Sequence, residues 1–286
     1  MAANTPRPSK AERSADAREQ ARKLQEQRAA AAKRKSLFIK LGVVVAVVAI
    51  IGIIAAIVFQ NSNNDVPDAG PAPRGGNADG GIVLVSDTEL GGTGGATVDV
   101  ASLGPAPTTT APPEPRGVAK APAGEPAQIV VYVDVNCVHC AEFETAYADQ
   151  LKTWLAAGDA TVEYRNVAYL DRSSPTNYSS RGANALACVA DAAPASYLPF
   201  TQAVFAHHAQ GEMSNDELAQ LASDNGADVG SCIEDGTFRP FAKFTQESAR
   251  RDQIPGTPSV WVQGEVWNPE TDPDFAGWAQ GLIDAA

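Results

Sequence analysis

Positive charge is scarce in this chain once its first forty residues are past. The formal net charge is −12, and the stretch up to Lys40 holds eleven Lys/Arg against four Asp/Glu, which leaves −19 for everything after it. So acidic a remainder argues against a nucleic-acid partner. Cysteine is nearly as scarce: Cys137, Cys140, Cys188 and Cys232 are all there are. No histidine follows Cys140 directly, since Ala141 stands there, so c-type haem attachment is excluded. No second compact ligand pair accompanies Cys137 and Cys140. Cys188 and Cys232 lie far apart and His207 and His208 are adjacent, which disfavours structural zinc. The chain is expected to need no bound metal or cofactor.

Polar side chains are absent from LGVVVAVVAIIGIIAAIVF, Leu41–Phe59. The run is long enough to cross a roughly 30 Å hydrocarbon layer at about 1.5 Å per residue. A buried core helix would be neither so long nor apolar all round. No A-x-A-like site follows, which disfavours a cleaved signal peptide, and no cysteine lies near its end to carry a lipid. KRKSLFIK before the run and QNSNNDVPD after it place the N-terminus in the cytoplasm by the positive-inside rule. The expected organisation is a basic cytoplasmic tail over 1–40, helical or disordered, and a signal-anchor helix in the lipid bilayer over 41–59. A Pro/Gly-rich extracytoplasmic linker follows over 60–126, then a folded domain over 127–286. Within the linker, Ile82–Val85 and Thr97–Val100 are β-like and suit an edge hairpin. All four cysteines fall beyond the anchor, where disulfides form and persist.

From Ala127 the texture changes. IVVYVDV is a β-branched run fit for a buried strand. Residues from about Val138 to Ala157 carry Phe143, Tyr147, Leu151, Trp154 and Leu155 at helical spacing, and the helix is expected to stop before Gly158. TVEYRNVAYL, Thr161–Leu170, reads as a second strand. Helical segments follow in an insert over about 173–236; one, SNDELAQLASDNG, opens with a capping box of Ser214 and Glu217. The chain closes with a helix FRPFAKFTQESARRD, the turn IPGTPS, a strand SVWVQ, a Gly264-centred hairpin and a last helix for which Asp272 suits the N-cap. The predicted order is β-α-β, helical insert, α-β-β-α.

Cys137 and Cys140 sit where the first strand gives way to the first helix. A disulfide across two intervening residues closes a tiny loop, gains little entropy and suits exchange better than stapling. A helix starting at Cys137 aims its unpaired N–H groups and positive dipole end at that sulfur, which favours thiolate. Cys140, one turn in, is then the shielded resolving thiol. His139 lies between them, where a partly charged imidazole further favours thiolate; its alternative is an exposed polar residue at a helix start. Asp134 alternates with Val133 and Val135 and is a candidate proton relay for Cys140, its alternative a solvated strand-end acid. Glu142 and Glu144 read as solvated or dipole-stabilising, and Phe143, Tyr147 and Trp154 as core or groove wall. Far down the chain, Thr257-Pro258 stands just before a strand. Proline is the one residue for which a cis peptide is cheap. Its missing N–H keeps the backbone open there, so Thr257 can pair by main chain with an extended substrate.

The segments DVNCVHCAEFE, SRGANALACVADA, SCIEDGTF and RDQIPGTPSVWVQGEVW, spread between Ala127 and Ala286, resemble the DsbA-like thioredoxin-fold proteins of actinobacterial envelopes. The resemblance implies an α/β thioredoxin-like fold with an inserted helical subdomain, preceded by the anchor and linker. It implies a membrane-anchored thiol–disulfide oxidoreductase that forms disulfides in exported cysteine-containing proteins, with Cys137, His139 and Cys140 catalytic and Thr257 and Pro258 at the substrate. It also implies a structural disulfide within the insert, Cys188 to Cys232, and reoxidation by a quinone-linked membrane protein of the vitamin K epoxide reductase or DsbB kind. The dipeptide Val138-His139 departs from the Pro-His of well-studied strong oxidases. The same residues can run as a reductase or isomerase, and a non-catalytic tethered binding or sensor module is the remaining alternative.

Overall fold

A computed structural model gives the architecture and describes residues 66–92 and 94–286, together with Arg22. The expected anchor over 41–59 and most of the basic tail lie outside the described residues. Among the described residues no helix is long and apolar enough to cross a membrane.

The centre is a parallel pair, β5 (Ala127–Val133) and β6 (Ala160–Asn166), in register from Ala127 opposite Ala160 to Val133 opposite Asn166. Parallel neighbours need a long crossover, which α1 (Val138–Ala157) supplies. Gly158 ends it at φ 74°, in the left-handed region where a missing Cβ costs nothing. β7 (Ser259–Val262) lies antiparallel on the other side of β5, and β8 (Glu265–Val266) folds back on it. Gln263 and Gly264, both at positive φ, make the two-residue turn between them.

β6 ends sooner than its apolar pattern suggests. Val167 N–H still reaches Val133 O, but the chain then turns and Leu170 N–H is taken by the Asp134 carboxylate at 3.0 Å. Four helices fill the stretch that follows: α2 (Tyr178–Ala192), α3 (Tyr197–His207), α4 (Asn215–Asp224) and α5 (Gly230–Asp235). The capping box of Ser214 with Glu217 opens α4. Cys188 on α2 is joined to Cys232 on α5 by a disulfide spanning 44 residues of sequence. After them come α6 (Arg239–Arg251) and α7 (Phe275–Ile283). The N-cap of α7 is Asp274, whose carboxylate accepts from Gly277 N–H, and not Asp272, whose carboxylate accepts from the Thr271 hydroxyl instead.

Residues 66–126 are partly built into the same unit. β2 (Ile82–Leu84) adds to the free edge of β6 in antiparallel fashion and pairs in turn with β3 (Leu90–Gly91), giving a six-stranded sheet in the order β3-β2-β6-β5-β7-β8. The two β-like runs of this region therefore do not pair with each other. Thr97–Asp99, strand β4, pairs with β1 (Ala69–Pro71) in a separate two-stranded sheet that packs on α6. The strands are two or three residues long, so tertiary partners decide their pairing. Two apolar layers result. One holds Phe143, Leu151, Trp154 and Phe275, and the other lies around Tyr132 and Trp261.

Candidate active site

Cys137 is the N-cap of α1, with extended backbone at φ −91° and ψ 120°. Its N–H is taken by Asp134 O, and its own carbonyl receives the first helical bond from Ala141 N–H at 3.1 Å. The turn Val135–Asn136 is pinned from the helical insert. His208 Nε2 donates to Asn136 O at 3.2 Å and Asn136 Nδ2 donates to Glu212 Oε1 at 3.2 Å. Sequence reading weighed His208 only as a metal ligand and missed Glu212; the available signal was the lone polar side chain just before Cys137.

The Thr257–Pro258 peptide is cis and faces this turn. Cys137 Sγ lies 3.3 Å from Thr257 O, which accepts from the thiol. Thr257 makes no backbone–backbone hydrogen bond among the described residues, which leaves its N–H open to another strand. Cys137 itself is 7% exposed, while its neighbours Val138 and His139 are open to solvent.

The two sulfurs are electrostatically unequal. Cys137 and Cys140 are both free thiols. As thiolate, Cys137 accepts from the Cys140 thiol, from the Thr257 hydroxyl and from the N–H groups of Cys140 and His139. Together these outweigh its partial burial and bring its pKa from 9.0 down to about 5. Cys140 has no exposed surface. Burial first, then the neighbouring Cys137, push its thiol far above the ordinary range. Asp134 N–H points at Cys140 Sγ from 3.5 Å.

Asp134 is fully buried. Burial raises its pKa from 3.8 to about 6, against the opposing pull of Asn136 N–H at 2.9 Å and Leu170 N–H at 3.0 Å. The reading of a solvated strand-end acid does not describe it. The His139 ring turns to Glu142, 2.9 Å from Nδ1, and that hydrogen bond raises its pKa. The His139 backbone N–H contributes to the low pKa of Cys137, and the Cys137 thiolate in turn helps raise the pKa of the His139 ring. Glu144 is not solvated either. It is buried beneath the helix, accepting from the Tyr164 hydroxyl at 3.3 Å, and burial raises its pKa from 4.5 to about 7. Phe143, Tyr147 and Trp154 wall this region by packing against Phe275.

A cysteine at a helix mouth, a buried partner one turn in and a cis-proline beside them make up a thiol-exchange geometry. The thioredoxin family model matches residues 117–281. The chain belongs to the thioredoxin family. The MdbA protein of Actinomyces oris, a thiol-disulfide oxidoreductase, superposes with a TM-score of 0.56 at 19% identity, over 76% of this chain and 93% of that one. The Corynebacterium diphtheriae MdbA protein gives 0.52 at 17% identity, over 76% and 95%. Serine/threonine-protein kinase PknE of Mycobacterium tuberculosis is 31% identical over 172 residues, which are 55% of this chain but 30% of that protein. The chain thus spans under a third of the curated relatives it matches, and their name describes the whole of a longer protein.

Proposed function

We propose that this chain is a membrane-tethered thiol–disulfide oxidoreductase that forms disulfides in exported, cysteine-containing proteins. The observation that carries the reading is the unequal pair of sulfurs: Cys137 with its pKa near 5 and touching Thr257, Cys140 buried and holding its proton tightly.

In the oxidised form the two sulfurs share a bond. A substrate thiolate attacks Cys137 Sγ, the Cys137–Cys140 bond breaks, and its electron pair leaves on Cys140, which takes up a proton. Asp134, poised near pH 6, is the group that gives or takes that proton. A second substrate thiolate then attacks the substrate sulfur of the mixed disulfide, and Cys137 leaves as thiolate. Two electrons have passed from the substrate dithiol to the enzyme. The substrate keeps a disulfide, and the enzyme is left with one thiolate and one thiol. Thr257 holds the incoming segment by main chain as an added strand. A protonated His139 at the rim adds positive charge near the leaving Cys137.

Stabilising the Cys137 thiolate stabilises the reduced enzyme, and about 30 mV corresponds to ~1.4 kcal/mol for this two-electron couple. That favours the oxidising direction. The enzyme then needs an electron acceptor, and a quinone-linked membrane protein of the vitamin K epoxide reductase or DsbB kind suits a domain held at the cytoplasmic membrane by Leu41–Phe59, with the catalytic domain outside. Equilibration with glutathione tests the direction. The expected potential lies well above the roughly −270 mV of thioredoxin, and a value at or below it would make the chain a reductase. Cys140→Ala should strand clients as mixed disulfides on Cys137, and exported proteins among them are the expected catch.

A further inference from the structure

A cleft of about 630 Å³ opens beside the loop that carries Thr257. Three stretches line it: Arg250 with Gln253 to Pro255, Tyr169 and Arg172 in the turn beyond β6, and a Pro/Thr-rich strap within residues 106–113. Each is tied to the active site or to its loop. Ile254 and Pro255 run directly into Gly256 and Thr257, whose carbonyl faces Cys137. The Tyr169 hydroxyl donates to Ile254 O at 3.3 Å, and the next residue, Leu170, is held by Asp134. The strap is fastened to Gln253, which accepts from Ala111 N–H at 2.7 Å and donates to Thr109 O at 2.9 Å. This strap precedes residue 117, where the match to the thioredoxin family begins. The cleft is therefore built with a wall that the family match does not include.

Its charge has one sign. Arg172 and Arg250 are the only charged side chains in the lining, in a chain that carries −19 beyond Lys40. Arg250 pairs with Glu247 at 2.9 Å, and Glu247 is shared with Arg251 at 3.0 Å. Arg172 makes no ion pair among the described residues.

We infer that this cleft selects substrate chains carrying an acidic side chain close to the reacting cysteine. The inference rests on the oxidoreductase reading above. Ile254 to Thr257 is at most about 11 Å of extended chain. An extended substrate paired with Thr257 covers that span in about three residues at ~3.3 Å each. An Asp or Glu about three positions from the cysteine then meets the two guanidinium groups, with the hydroxyls of Thr108 and Thr110 alongside. Exposed ion pairs are individually weak, so two of them give about a fivefold preference in rate, sensitive to salt.

The experiment uses the oxidised full chain and fluorescent dithiol peptides in which one residue, two to four positions either side of the reacting cysteine, is Asp or Gln. The expected result is a kcat/KM ratio of Asp to Gln peptide near five for at least one position. In the double variant Arg172→Gln/Arg250→Gln the ratio should fall to about one. The wild-type ratio should fall likewise in 0.5 M salt, which needs no variant to fold. Asp and Gln peptides oxidised equally by the wild type would overturn the inference alone, as would a ratio that survives both the double variant and salt. A wild type that oxidises neither peptide would remove the oxidoreductase reading as well.

Discussion

Asp134 offers its backbone N–H to Cys140 Sγ across 3.5 Å, while its carboxylate is held from the other side by Leu170 N–H. A buried acid and a buried thiol thus share one residue's reach, and neither can exchange protons with bulk water freely. Because burial lifts the Asp134 pKa to about 6, the carboxylate is available as a base only above that pH. Attack of Cys140 on a mixed disulfide at Cys137 should therefore quicken as pH rises through about 6. In Asp134→Asn the rise should vanish and the step should slow by about a hundredfold, the lower end for a positioned acid–base group. Stopped-flow release of a chromogenic thiol from Cys137 reads both effects; a variant that keeps the inflection near 6 would exclude Asp134 as the relay.

Alkylation of Cys137 by iodoacetamide should follow a single titration with midpoint near 5 and reach its plateau by about pH 6. The Cys140 thiol is the largest contributor to that low pKa, so Cys140→Ala should move the midpoint upward. The sign for stability follows from the same shift. A depressed folded-state pKa stabilises the reduced protein above the ordinary thiol pKa, and that contribution is lost as pH falls towards 5. The difference in Tm between reduced and oxidised protein should shift in favour of the reduced form between pH 5 and pH 8.

Glu144 carries the opposite sign. Its folded-state pKa of about 7 stands above an unfolded value near 4.5, so the folded protein holds a proton that the unfolded chain releases. Stability is complete below about 4.5 and declines as pH rises to about 7, by about 3 kcal/mol at ~1.4 kcal/mol per pKa unit. Glu144→Gln keeps the shape of the protonated acid without the titration. Denaturant melts should show it more stable than wild type at pH 8 and nearly equal at pH 4.5.

Cys188 and Cys232 close a loop with a separation of 44 residues, for which loop entropy gives about 4 kcal/mol at the upper end. The double variant Cys188→Ala/Cys232→Ala should lose up to that much in urea unfolding. Its Cys137 alkylation profile should keep the same midpoint, since the bond sits between α2 and α5 and touches neither active thiol.

The strand–helix–strand core was legible because three signals coincide there: a β-branched run, helical spacing of Phe143, Leu151 and Trp154, and a cysteine at the junction. Cys137, Cys140, Thr257 and Pro258 stood out on motif and position alone, and the structure brings them together. Glu144 was misread because a glutamate is ordinarily solvated. Its spacing carried the warning, as it lies four residues from buried Cys140 and seven from buried Leu151, on the same helical face. Arg165 was missed on the same ground. It is fully buried, paired with Glu163 at 2.6 Å and donating to the Tyr132 hydroxyl, on a sheet face that reads as solvent-facing until residues 114–118 cover it. Of the short strands, β2 and β4 were legible as β-like runs and β1 and β3 were not, and no partner could be read for any of them, since two or three residues among glycines and prolines specify none until a sheet edge is offered.

That offered edge has a consequence for handling the protein. With β2 and β3 in place, β6 is an interior strand. Cut back to residue 117, where the family match begins, the domain would bare the edge of β6 over Val162 to Tyr164, the stretch that β2 now covers, the kind of template on which extended chains gather. On the function proposed above, a chain that works among unfolded, cysteine-bearing polypeptides would gain most from keeping such a seam closed. The glycine-rich stretch ahead of the catalytic fold acts as its hem, and on that proposal it would leave clients to meet the domain where the sulfur of Cys137 waits.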